Sequence, residues 1–295
     1  MQNISDIRHH INAVAETRKI TGAMQMVASS HMKKVMSHIE YNQKYFVRLQ
    51  STMKGILESS QETVHPYLQS RGKDRRTYIV IAGDKGMAGS YNTNLLHFAH
   101  AELAAHPGSY LIAVGLKTHQ FFRRNGIIPD LEIENYAQDP SLANARALAY
   151  HLMSLFDAGQ TDGVYIIFTI FSGSVKNTPV VRHLLPLLVG DFDQFQTHAL
   201  EQDVFYLPSP QEAFDSLVPQ YIVSRIFAAF AQAYASEHFA RMNAMQSASR
   251  NADELLKRLK MQYNMARQAA ITQEISEISG AVEALRKGDA AYATE

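Results

Sequence analysis

The first place in this chain where residue types and spacing could do chemistry is the loop Gly83-Asp84-Lys85-Gly86-Met87-Ala88-Gly89-Ser90. It follows an apolar, β-rich run and precedes a helical pattern, and a glycine-rich turn in that position can present backbone N–H groups to a phosphate. No Gly-Lys-Ser/Thr closes it, and it is not Gly-x-Gly-x-x-Gly either, so the spacing favours a plain strand-to-helix turn. The thirteen histidines invite a metal reading. His9 and His10 are adjacent and point about 100° apart on a helix. His97 and His100 sit three apart, but no acidic pair on their helix completes a ligand set. Glu132 and Glu134 lie two apart in a possible strand, with nothing nearby to split their pKa values, and read as a solvated face. No Ser-His-Asp ordering carries a local signature. Catalytic, cofactor-binding and metal residues are all expected to be absent.

The composition narrows the classes further. The chain has 295 residues, 46% of them apolar, enough for one large domain or two modest ones. Its formal net charge is zero, which gives no support for nucleic-acid binding. There is no cysteine, which removes disulfides, thiolate nucleophiles and Cys-ligated zinc together. No stretch approaches the roughly 20 apolar residues that span a bilayer. The opening Met-Gln-Asn-Ile-Ser-Asp carries neither an apolar signal core nor an Arg/Ser-rich leader, so any membrane is expected to be reached through a partner.

The elements that position these residues divide the chain into ends and a middle. From Gln2 to about Ser60 there is no proline, and glycine occurs only at Gly22 and Gly55. Ile4, Ile7, Ile11 and Val14 step by 3, 4 and 3; after a shift in register, Ile20, Met24, Val27 and His31 step by 4, 3 and 4. This predicts a long helix with an apolar stripe, on the order of 80 Å in length. After Pro219 there is no proline, and no glycine before Gly280. A seam runs through Ala228, Ala231, Ala235, His238, Met242, Met245, Ser249, Ala252, Leu256, Leu259, Tyr263, Ala266 and Ala270, every step 3 or 4. Such a repeat marks a supercoiled pair, and its small residues let two backbones approach closely. The N-terminal helix is the partner available within the chain.

Between the ends, Tyr78–Ala82, Tyr110–Val114 and Gly163–Phe168 read as short strands, and Asn92–Ala105, Lys117–Asn125 and Ser141–Ala158 as helices, giving a small parallel sheet covered by helices. The stretch Asp203–Pro219, with three prolines, reads as a link to the last helix. The expected fold is an α/β domain inserted between two long terminal helices that pair. Its expected divisions are an N-terminal helix at 1–60, a Rossmann-like α/β domain at 61–214, a C-terminal helix at 215–287 and a polar tail at 288–295. Charge follows this division: residues 1–54 hold eight Lys/Arg and three Asp/Glu, residues 215–287 nine and seven, and residues 55–214 eleven and sixteen. Methionines are frequent on the long helices (Met24, Met26, Met32, Met36, Met242, Met245, Met261 and Met265) and suit either core packing or a surface that meets changing neighbours. Three classes remain open on these grounds: a component of a larger assembly, a nucleotide- or phosphate-binding α/β enzyme, and a coiled-coil dimerisation module.

Particular runs of residues separate the three. Ile7-Arg8, then Thr17-Arg18-Lys19-Ile20-Thr21-Gly22-Ala23-Met24-Gln25-Met26-Val27-Ala28, closely resembles the start of the F-type ATP synthase gamma subunit family, a variant of T-x-K-I-T-x-A-M-x-M-V-A. So does the ending Ser236-Glu237-His238 … Ala240-Arg241-Met242 … Ala244-Met245, Asn251-Ala252, Tyr263-Asn264 … Ala266-Arg267-Gln268-Ala269-Ala270-Ile271-Thr272-Gln273-Glu274-Ile275 … Glu277-Ile278. Gly83-Asp84 … Gly86 … Gly89 … Asn92 fits the family's G-D-x-G-x-x-G-x-x-N. The resemblance is collinear over nearly the whole chain.

That resemblance implies that the terminal helices form an antiparallel, left-handed coiled coil through a ring of three alpha and three beta subunits. The α/β domain would sit near the epsilon subunit and the membrane ring of c subunits. Ion flow would turn ring and shaft, and the asymmetric shaft would drive the beta subunits through different nucleotide affinities. The chain would be a non-catalytic central-stalk rotor subunit, one copy per complex, without cofactor, nucleic acid or membrane insertion. It would lie at the cytoplasmic face of a bacterial membrane. The resemblance also implies contacts to the beta and alpha subunits near Met24, Glu237, Arg241, Arg267, Gln268 and Thr272, exposed enough to break at every step. Tyr206-Leu207-Pro208 matches a foot that meets the c-ring, with Leu207 where the family often has glutamate.

Overall fold

The computed structural model describes residues 4–59, 65–134, 140–173, 178–188, 190 and 206–292. Helix α1 covers Ile4–Ser59. A 3-10 turn at Pro66–Leu68 leads into strand β1, Arg76–Ile81, followed by α2, Tyr91–Ala105, and β2, Tyr110–Val114. Then come α3, Leu116–Arg124, β3, Leu131–Ile133, and α4, Leu142–Asp157. Strands β4, Gly163–Ile170, and β5, Thr178–Leu185, complete the sheet, and α5 covers Pro210–Tyr292.

The strands lie in the order β3-β2-β1-β4-β5. The first three pairings are parallel, and β5 adds to β4 antiparallel at the edge. The parallel sheet is thus as the sequence predicts, with one antiparallel edge strand that it does not announce. The two faces of β1 sort by parity. Ile79 and Ile81 face Met53 and Ile56 of α1, Leu148, Leu152 and Phe156 of α4, and Phe214, Tyr221 and Ile222 of α5. Tyr78, Val80 and Ala82 face Leu95, Leu96 and Leu103 of α2 and Phe122 of α3. A strand buried on both faces has to be apolar at consecutive positions, which is why Tyr78–Ala82 is one unbroken run.

By its contacts the chain divides into two compact units: residues 26–244, with the sheet and the adjoining parts of α1 and α5, and residues 1–25 with 245–295. In the second unit, Ile11 and Val14 of α1 pack with Ala252, Leu256 and Leu259 of α5. The Thr21 and Ser249 hydroxyls meet at 2.7 Å, and Arg18 Nε donates to Asp253 at 3.0 Å. In the first unit, Tyr234 meets His31 at 2.7 Å, Ser224 donates to Asn42 at 3.0 Å and Tyr45 donates to Gln220 at 2.6 Å. In both, rising numbers on α1 meet falling numbers on α5.

The seam read on α5 is the inward side: from Met245 to Ala270, each of its residues is buried or half-buried, while nearly all the others are exposed. The α1 stripe differs from expectation. Over residues 4–40, Ile7, Val14, Thr21, Ala28 and Val35 are the buried set, a strict step of seven, and Ile20 and Val27 are 59% and 55% exposed. There is no shift of register. Polar Thr21 and small Ala28 hide the continuation of the stripe, and two exposed aliphatics imitate it. The start of the last helix also differs. Pro210 opens α5 and Pro219 lies inside it, so the helix begins within the stretch expected to be a linker. An interior proline costs about 3 kcal/mol, and the burial of Phe214, Val218, Tyr221 and Ile222 around it offsets that cost. The helix also runs on to Tyr292, into the polar tail.

Candidate functional site

In an open parallel sheet the natural place for a ligand is outside the carboxyl ends of the strands, where the chain order reverses. Here that place lies between β1 and β4: from β1 the chain moves through β2 to β3, then returns to the other side of β1. The Gly83–Ser90 loop leaves the carboxyl end of β1 at this crevice. The protein's own helix α5 fills it. Ser236 Oγ donates to the Thr169 carbonyl at 3.0 Å, just inside the end of β4. The backbone N–H of Phe171, past that end, donates to Gln232 Oε1 at 2.9 Å. The hydroxyl of Tyr91, at the start of α2, donates to the Ala233 carbonyl at 3.0 Å.

The loop does receive an anion, and it comes from the same chain. A Cβ placed on Gly83 would lie 2.6 Å from the Glu237 carboxylate, so a side chain there would push that group out of its present position. Arg241, one helical turn on, pairs with Glu237 and reaches over the loop to the carbonyls of Gly86, at 3.3 Å, and Lys85, at 3.5 Å. The loop is closed from within as well. Gly83 N donates to Asn92 Oδ1 at 2.9 Å, Asn92 Nδ2 to the Lys85 carbonyl at 3.3 Å, and Leu116 N to Asp84 Oδ1 at 2.6 Å. At Gly115, φ is +92° and a Cβ would collide with the Ala82 carbonyl, so this neighbouring turn requires glycine.

Glu237 and Arg241 are each 7% exposed. Burial pushes the Glu237 carboxyl above the usual carboxylate range, with the Arg241 charge opposing the rise. Burial also pulls His238 down, to about 3, helped by the Arg241 charge. A buried carboxylate of raised pKa can be a general acid. Here its oxygens face a guanidinium and a glycine notch rather than an open cavity, which is the environment of a structural ion pair.

The sequence-predicted residues fall into three groups. Glu237 and Arg241 are held against the loop, contrary to the expectation that all the rotor contacts are exposed. The acid-base spacing of one turn favours an intrahelical pair, and the Gly83 notch buries it. Arg267, Gln268 and Thr272 are exposed on α5, where Thr272 donates to the Gln268 carbonyl at 2.9 Å, and Met24 is half-buried on α1. Tyr206 packs against the main core, and Leu207 is 87% exposed. His97 and His100 meet the edge of the Phe121 ring. Glu132 pairs with Arg123 at 2.8 and 2.9 Å. Among the described residues no group of three or more His, Asp or Glu is placed to hold a metal ion. A cleft of about 630 Å³ between α1, α4 and α5 has a rim of exposed His38, Tyr41, Tyr45, Arg146 and Tyr150 over a floor of buried Val223, Ser224 and Phe227. Sequence reasoning missed the filling of the crevice by Ser236 and Gln232; their only signal is two polar residues on the crowded side of a helix.

Comparison with known proteins places the chain in a family. The family model for ATP synthase matches residues 3–285. The ATP synthase gamma chain of Alkaliphilus metalliredigens is 35% identical over 96% of this chain and 99% of its own. That of Heliobacterium modesticaldum is 33% identical over 97% and 100%. Among solved structures, the central stalk and c-ring of the Tetrahymena thermophila mitochondrial ATP synthase contains a chain with TM-score 0.59 and 25% identity, over 78% of this chain and 99% of that one. A chain of the Euglena gracilis mitochondrial ATP synthase shares the fold with TM-score 0.67, at 17% identity, over 97% and 95%. With relatives matched end to end and the model spanning nearly every residue, the chain belongs to the ATP synthase gamma chain family.

Proposed function

We propose that this chain is the central rotor of an ion-driven ATP synthase, a subunit without a catalytic site of its own. It carries rotation of a membrane c-ring to the alpha and beta subunits of the head. The end-to-end match to gamma chains is the observation that carries this reading. The filled crevice at the sheet switch point supports it against an α/β enzyme. The terminal helices are proposed to form an antiparallel, left-handed coiled coil. The seven-residue step of Ile7, Val14, Thr21, Ala28 and Val35 supports it, as do the pairings of Arg18 with Asp253 and Thr21 with Ser249. The paired helices at 1–60 and 215–287 would serve as shaft and 61–214 as the domain beside them.

Met24, Arg267, Gln268 and Thr272 are proposed to meet the alpha and beta subunits, and exposed Leu207 beside Tyr206 to meet the c-ring, with epsilon as a further partner and one copy per complex. The protein would sit peripherally at the cytoplasmic face of the membrane. In keeping with that, no described helix is long and apolar enough to cross a membrane.

The test is co-purification of a C-terminally tagged chain from gently solubilised membranes. The expected result is alpha, beta and epsilon subunits with one copy of this chain. In that complex Arg267→Ala is expected to lower ATP hydrolysis by up to about fivefold, the scale of one exposed charge-assisted contact. A lone monomer or homodimer that turns over nucleotide by itself would contradict the proposal.

A further inference from the structure

We propose that Glu237 and Arg241 lock the α/β domain to α5 against rotation, so that the domain and the helix turn as one body. This rests on the rotor reading above: torque enters through the α/β domain near the c-ring and leaves along the helices. Within residues 26–244, α5 meets the sheet in two ways. Phe214, Val218, Tyr221, Ile222 and Phe230 bury apolar surface against the sheet and its helices. Such burial is non-directional and resists separation more than turning of the helix about its own axis. The directional contacts concentrate where residues 232–241 pass the crevice. Gln232, Ala233 and Ser236 bond to the ends of β4 and the start of α2. One turn further on, the Glu237 carboxylate sits in the notch left by the missing Gly83 side chain, while Arg241 reaches over the rim to the Gly86 and Lys85 carbonyls.

The Glu237 carboxylate lies where a Gly83 side chain would be, and its guanidinium partner, itself bonded to the Gly86 and Lys85 carbonyls, cannot leave without exposing an unpaired buried charge. Turning the helix by a few tens of degrees would break both at once. The loop itself is kept stiff by Asn92 and by the Leu116 amide on Asp84, so the notch does not yield with the key. Glu237 and Arg241 are therefore positioning residues for torque transfer and do not touch nucleotide.

The experiment measures ATP-driven ion pumping and ATP hydrolysis together, on the assembled synthase in inverted membrane vesicles. The variants are Glu237→Gln, which keeps the shape and removes the charge, Glu237→Ala, which removes the key, and Gly83→Ala, which fills the notch. Arg123→Ala breaks an exposed ion pair of the same domain and serves as control. The expected result is a severalfold loss of ions pumped per ATP hydrolysed in Glu237→Ala and Gly83→Ala. Hydrolysis should be retained, Glu237→Gln should fall between them and the wild type, and the control should be unchanged. Wild-type coupling in assembled Glu237→Ala and Glu237→Gln complexes would overturn the lock while leaving the rotor reading intact. Absence of coupling in the wild-type complex would overturn both. Glu237→Gln retains the packing, so it decides the matter if Gly83→Ala fails to assemble.

Discussion

Asp162 lies at the start of β4 and is 6% exposed. Its carboxylate accepts two bonds from the Arg75 guanidinium, both 2.8 Å, and one from the Arg75 backbone N–H at 3.1 Å. These bonds hold its pKa below the usual carboxylate range. Asp162→Asn should destabilise the chain by about 2 kcal/mol at neutral pH, the worth of a buried hydrogen bond to a charged group. Because the folded pKa is depressed, the stabilisation is fully present above the ordinary carboxylate range. It declines as the pH falls from there to the folded value, below which both states carry the proton. Thermal melts of the two proteins across acid pH should therefore converge as the pH falls, and a gap that stays constant would mean that the charge is not the cause. The Glu237–Arg241 spacing is legible in the sequence as an intrahelical pair. That the pair is buried, and buried against Gly83, is not, because the notch is a tertiary feature that joins residues 154 positions apart. Thr21 shows a related difficulty. Its hydroxyl meets Ser249, so a polar residue belongs to the packed seam, and hydropathy alone cannot separate it from a surface threonine.

Long-range periodicity was readable for the helices because one face must stay buried over many turns. The α5 seam needs only its period of 3 and 4, and small residues such as Ala252 fit it as well as large ones. Ala252 is 9% exposed and packs with Val14 and Leu259. Ala252→Leu should force extra methylenes between the helices and cost about 1–3 kcal/mol. Arg258→Ala, on the exposed face, should stay within about 0.5 kcal/mol. Melting followed by far-ultraviolet circular dichroism checks both, and equal effects would mean that the seam does not pack. Short strands are readable only where burial on both faces makes an unbroken apolar run, as in β1, β2 and β4. Strand β5 carries Pro179, Arg182 and His183, and an edge strand can hold such residues because, among the described residues, only one of its sides pairs with a neighbouring strand. The start of the last helix, Pro210 rather than 215, is hidden for the opposite reason. The local cost of a proline is visible in the sequence, and the core burial that offsets it is not.

For the molecule as a whole, composition and charge exclude several classes of activity but cannot distinguish a rotor from an enzyme with helical extensions. The decisive signals are the end-to-end likeness to gamma chains and a crevice that the protein fills with its own helix. The central claim is that the chain turns inside a head that stays still. The most direct measurement anchors the alpha and beta subunits to a surface and watches a bead on this chain. It is attached at Ile128→Cys, a position 80% exposed in a protein with no cysteine of its own. Under ATP the bead should rotate in one direction with three stops in each turn, one for each beta subunit. ATP hydrolysis with a bead that stands still, or wanders without direction, would contradict the account.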